Sequence, residues 1–146
     1  MGKTTESLFR AEYGGQEQTE IEASVVGASS ALKSKLKLLR KGGKPAADAV
    51  NCAYRRGKGY NPKNMAKAIA FLITRTETSL AVAESLAIDN FVKATVFNAG
   101  NTYAGVHAPV DPFDLGHTIE IGGNFWHGNP NAQIDTIIHE VSHFHN

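Results

Sequence analysis

The run from Ala132 to Phe144 contains neither proline nor glycine, and it ends in His139-Glu140-Val141-Ser142-His143. Ile134, Ile137, Ile138, Val141 and Phe144 recur at the spacing of one helical face, so the run predicts an amphipathic helix with a buried stripe. Pro130 suits a first helical turn, with Asn129 or Asn131 as the cap. On such a helix His139 and His143 are i and i+4. They share a face off the main apolar stripe, and both imidazoles can reach one ion. Glu140 points to the neighbouring sector, where a carboxylate can hold a water and take its proton. A chain with this composition meets an HExxH pattern by chance on the order of once in a hundred sequences. The helical context is therefore what gives the motif weight. The competing reading is a surface helix with two solvated histidines.

The remaining chain predicts a single domain large enough for a real core: 146 residues, 42% hydrophobic and 20% charged. Residues 1–16, ending in Gly14-Gly15, read as a loose arm, and 17–146 as the domain. Glu17 to Lys41 reads as a helix with Val25, Ala28, Leu32, Leu36 and Leu39 on one stripe. Gly42-Gly43 ends it, and Pro45 starts a short helix over Ala46 to Arg56 with Val50 and Ala53 inward. Gly57 to Pro62 reads as a turn. A further helix spans Lys63 to about Leu86, with Met65, Ile69, Leu72 and Ile73 on one side and a break expected in the polar stretch Thr74 to Ser79.

From Phe91 the character changes. Phe91 to Phe97 and Thr102 to His107 read as strands that pair back on each other across Asn98 to Asn101, and His117 to Ile121 reads as a third. The expected class is α+β: N-terminal helices, a small sheet, then the motif helix.

Several functions are excluded or disfavoured. No apolar run approaches a membrane span. Lys3-Thr4 lacks the loop of a phosphate-binding P-loop. Polar residues follow Met1-Gly2-Lys3, so no signal peptide is visible; cytoplasmic synthesis is expected, with export as an effector by a signal-independent route as its extension. Cys52, the single cysteine, forbids an internal disulfide or a multi-cysteine zinc site, and its alanine-rich helix suggests burial. Lys33 to Lys67 holds eleven Lys or Arg and one acid, a local balance of +10, whereas residues from Ala68 onward carry −6. The basic belt has a nucleic-acid reading, but with only Tyr54 and Tyr60 interleaved, a solvated helix face is preferred. Trp126 reads as a core anchor before it reads as a pocket wall.

The stretch Thr118-Ile119-Glu120-Ile121-Gly122-Gly123-Asn124-Phe125-Trp126, followed by Asp135-Thr136-Ile137-Ile138-His139-Glu140-Val141-Ser142-His143-Phe144, resembles the aspzincin metallopeptidases, the deuterolysins and peptidyl-lysine metalloendopeptidases. The resemblance covers the 27 residues from Thr118 to Phe144 and upstream agrees only in helical character. It implies a zincin-like fold and a zinc-dependent endopeptidase, in which His139 and His143 bind Zn2+ and Glu140 is the general base. It also implies a third ligand, an aspartate in a Gly-Thr-x-x-Asp stretch after the second histidine. No such stretch follows His143 up to Asn146. The expectation is that further chain supplies it, that the protein is naturally shortened, or that another residue serves. With two protein ligands alone, zinc would be held loosely and activity would be poor.

Fungal members use disulfides that Cys52 cannot form alone, so a bacterial, toxin-like relative fits better. Within the chain His117, His127, Asp135 and His145 are the substitutes to weigh as third ligand. Asp135, one turn before His139, suits a helix N-terminal charge or a contact to His139 better than ligation. The expected partner is a protein or peptide substrate, laid as an extra strand along Thr118 to Ile121. The acidic C-terminal part favours a cationic one. The alternative is a non-catalytic metal- or nucleic-acid-binding module.

Overall fold

The computed structural model describes residues 13–53, 64–93, 104–106 and 117–144. Among these residues, four α-helices and three short strands follow in the order α1 (Gly15–Lys41), α2 (Gly43–Ala53), α3 (Met65–Ser85), β1 (Phe91–Lys93), β2 (Ala104–Val106), β3 (Ile119–Ile121) and α4 (Pro130–Val141), with 3-10 turns at Ile88–Asn90 and Gly123–His127. The class is α+β and mostly helical. No helix among the described residues is long and apolar enough to cross a membrane.

Helix α1 begins at Gly15, inside the stretch read as an arm, and Tyr13 before it is buried against the core. Glu17 reaches back to accept from the Gly14 N–H at 3.0 Å, which satisfies one of the donors a helix start leaves free. Ile21, Ala28, Leu32, Leu36 and Leu39 form the buried stripe, and Ser24 is buried on it by donating its hydroxyl to the Ile21 carbonyl. Helix α2 buries Ala46 and Val50, but Ala53 and Cys52 are exposed, contrary to the inward and buried positions expected of them. They lie at the end of α2, past the face that packs on Leu39 and Leu72. The expected turn at Gly57 to Pro62 lies outside the described residues.

Helix α3 runs unbroken through Thr74 to Ser79, where a break was expected. The hydroxyls of Thr74, Thr76 and Thr78 each donate to the carbonyl four residues back, so these side chains are satisfied without leaving the helix. Thr76 is thereby buried in mid-helix, and Ser79 is buried one turn on. Lys33–Glu84 (3.6 Å) and Arg40–Glu77 (3.0 Å) join α1 to α3 along the basic belt. Both pairs are well exposed, so they add little stability, but they do place that part of the belt on a solvated face.

The sheet order is β1-β3-β2, with β1 parallel and β2 antiparallel to β3. Among the described residues the two strands of the expected hairpin are therefore not neighbours, and its 94–103 part lies outside them. β1 and β2 do not pair; β3 lies between them. Ile119 and Ile121 are both buried, which suits a central strand, and Phe91 opposite Ile119 is fully buried. This order also corrects the substrate site expected along Thr118 to Ile121: both edges of β3 are taken, so no peptide can add there.

The main core gathers Ile21, Ala28 and Leu32 of α1, Val82 of α3, Phe91 and Ile119 of the sheet, and Ile137 and Val141 of α4. Gly27 lets α1 and α4 approach closely. A Cβ at that position would stand 2.6 Å from Ile134 Cγ1, too near for any side chain without movement. Gly27→Val should destabilise the fold by about 1–3 kcal/mol through overpacking. The check is the urea midpoint; an unchanged or higher midpoint would mean that α1 and α4 do not meet at Gly27.

Candidate metal centre

Helix α4 is set in place by its first turn. Asn129 caps it, its side-chain oxygen accepting from Ala132 N at 2.8 Å, and Pro130 occupies the first turn as its fixed φ favours. Ile137 and Val141 are fully buried, and Ile134 and Ile138 pack against the core. Gln133 is the least expected anchor. It is buried, and its amide donates to the Phe125 carbonyl at 3.1 Å and to Glu20 at 3.2 Å, tying α4 to the turn before it and to α1. The signal for it was a polar residue in register with Ile137, Val141 and Phe144 on the apolar stripe.

The helix ends at Val141, three residues before the predicted limit. Ser142 donates its hydroxyl to the His139 carbonyl, and the amides of His143 and Phe144 reach back three residues, to Glu140 and Val141, at 3.1 Å each. His143 therefore stands on a tightened turn of 3-10 type rather than on the α-helix. The i and i+4 relation survives this change. His139 Nε2 and His143 Nε2 are 3.4 Å apart, and the two rings meet edge to face with centroids 5.0 Å apart. Both histidines are exposed.

Glu140 differs from its neighbours: it is buried, 5% exposed, with Oε1 3.9 Å from His139 Nε2. It lies three residues after Ile137, on the inner side of the helix. Burial pushes its carboxyl above the usual carboxylate range, and the nearby His139 and His143 pull in the opposite direction.

Two nitrogens bound to one ion at about 2.0–2.1 Å, at a tetrahedral angle, stand about 3.3–3.4 Å apart. The measured spacing fits that requirement, and the two imidazoles are the residues that could hold zinc. Among the described residues no three His, Cys, Asp or Glu side chains converge on one point.

Of the four substitutes expected from sequence, the three that are described are dispersed. His117 precedes β3 in the left-handed region, φ 49°, with its ring tilted against Phe144 at 4.9 Å between centroids. That contact places it against the turn that carries His143. His127 is exposed at the end of the Gly123–His127 turn. Asp135 is exposed on α4 and makes none of the contact to His139 expected of it among the described residues. His145 lies outside the described residues. Trp126 is half-buried on the core, edge to face with Tyr13 and Phe125, as a core anchor would be.

Comparison of this chain with protein-family models, with curated proteins and with solved structures gives no match.

Proposed function

We propose that this chain is a zincin-like metallopeptidase domain that hydrolyses peptide bonds with zinc held by His139 and His143 and with Glu140 as general base. One observation carries the reading: two exposed imidazole nitrogens 3.4 Å apart, beside a buried carboxylate 3.9 Å from one of them. The ring nitrogens are also within hydrogen-bond reach of each other, so the pair alone fits two solvated histidines as well; the buried Glu140 beside it is what a purely structural helix has no need of.

Zinc, when bound, supplies a Lewis acid that polarises the scissile carbonyl and makes water easier to deprotonate. His139 and His143 bind through Nε2 and must be neutral to do so. The Glu140 carboxylate takes the proton from the attacking water and passes it to the leaving nitrogen. Its raised pKa suits both halves of that transfer, since a stronger base takes a proton more readily near neutral pH. The Asn129 cap and the Gln133 bonds hold the helix on which this geometry depends.

For an extended peptide, the strand that touches α4 is β2, whose outer edge is unpaired among the described residues. Strand addition beside the metal helix would use that edge. The rival reading, a metal-binding module without catalysis, draws on the absence of a third converging ligand among the described residues.

Zinc-dependent hydrolysis of an unfolded protein substrate, such as reduced and alkylated casein, separates the two. The expected result is cleavage that a chelator abolishes and added zinc restores. Zinc bound at the pair with no cleavage would favour the non-catalytic module.

A further inference from the structure

A cleft of about 350 Å3 opens between α1, α3 and the end of α4, and neither histidine of the pair lines it. Its floor is apolar: Leu32 and Leu72, both buried, and Ile138. Lys35 and Arg75 also line it, from α1 and α3, and among the described residues no aspartate or glutamate does. Elsewhere on the same helices the basic residues Lys33 and Arg40 have carboxylate partners. Lys35 and Arg75 have none among the described residues; Arg75 instead lies over the ring of Phe71, 5.6 Å from its centre, and Phe71 is 51% exposed.

The cleft also holds an uncommitted donor. Ser79 is 8% exposed and its hydroxyl has no hydrogen-bond partner among the described residues. The other lining hydroxyls are committed, Thr76 to the Leu72 carbonyl and Ser142 to the His139 carbonyl. A hydroxyl both donates and accepts, so this one is available to donate to a ligand in the cleft.

Apolar floor, two cations and one free donor describe a site for an amphipathic anion. A carboxylate suits it better than a phosphate. Every lining residue of α1 and α3 is mid-helix, so backbone N–H groups are already bonded, and no helix N-terminus faces the cleft.

We propose that this cleft binds a small carboxylate with an apolar body, of the medium-chain fatty-acid class. The carboxylate lies between Arg75 and Lys35, and the chain covers Leu32, Leu72 and Ile138. Ser79 donates to the bound ligand. Ile138 and Ser142 alternate with His139 and His143 along the chain, so the site occupies the face of α4 next to the metal pair without sharing a side chain with it. The inference does not depend on a metal at that pair.

Sodium octanoate and neutral octanamide, titrated into 15N-labelled full-length protein, test it. Octanoate should cause saturable shifts at the amides of Phe71, Arg75, Ser79, Ile138 and Ser142. Octanamide should bind about tenfold more weakly, since it loses the charge-assisted bonds. The double variant Lys35→Gln, Arg75→Gln should weaken octanoate by a similar factor. Both positions are on helix surfaces, and unchanged far-ultraviolet circular dichroism would confirm that the variant is folded. Absence of saturable shifts, equal binding of octanamide, or an unaffected double variant would each overturn the proposal.

Discussion

Replacing Glu140 with glutamine should lower zinc-dependent peptide hydrolysis by about 10^2–10^4-fold and leave zinc content unchanged. The amide keeps the shape of the carboxylate but cannot accept the water's proton. The substitution has a second, independent consequence in metal-free protein. Glu140 is buried and its pKa is raised, so the folded state holds this proton more tightly than the unfolded chain. Its contribution therefore favours folding below the unfolded carboxyl pKa and is lost as pH rises through the folded one.

Glutamine carries no such dependence. Metal-free Glu140→Gln should thus be more stable than wild type at neutral pH, with the gain shrinking as pH falls. Chemical denaturation across pH checks the sign. Wild-type turnover in the variant would remove Glu140 from the role of base.

His143→Ala or His139→Ala should abolish zinc binding at the pair, because each removes one of the two imidazoles that could hold the ion. The fold should survive either change, because both side chains are exposed and neither belongs to a core cluster. His127→Ala is the matched control: it removes an exposed imidazole from the preceding turn and should leave the affinity unchanged. Zinc competition with a chromophoric chelator provides the reading. Equal affinity in wild type and in both motif variants would place any bound zinc elsewhere.

The helices were legible because local chemistry specifies them. The leucine stripe of α1, the Asn129-Pro130 start of α4 and the i, i+4 spacing of His139 and His143 all depend on neighbours a few residues away. Errors arose where local signals compete or distance intervenes. Thr74 to Ser79 looked like a break because threonines and serine favour loops; back-bonding to the preceding turn reverses that preference. The parallel pairing of Phe91–Lys93 with Ile119–Ile121 spans many residues through strands of three residues each, and no periodicity announces it.

The burial of Glu140 was readable in principle. It keeps helical register with Gln133 and Ile137, but the motif drew attention to its chemistry rather than to its side of the helix. The place of His117 against Phe144 depends on a left-handed backbone at a non-glycine residue, which no propensity indicates. A third ligand belongs to the same class of tertiary fact.

The most direct test of the central claim is anomalous scattering at the zinc absorption edge from crystals of the zinc-loaded protein. The account predicts one strong peak about 2.0–2.1 Å from both His139 Nε2 and His143 Nε2. A fully zinc-loaded crystal with its peaks only at other residues, and none between these two rings, would contradict it.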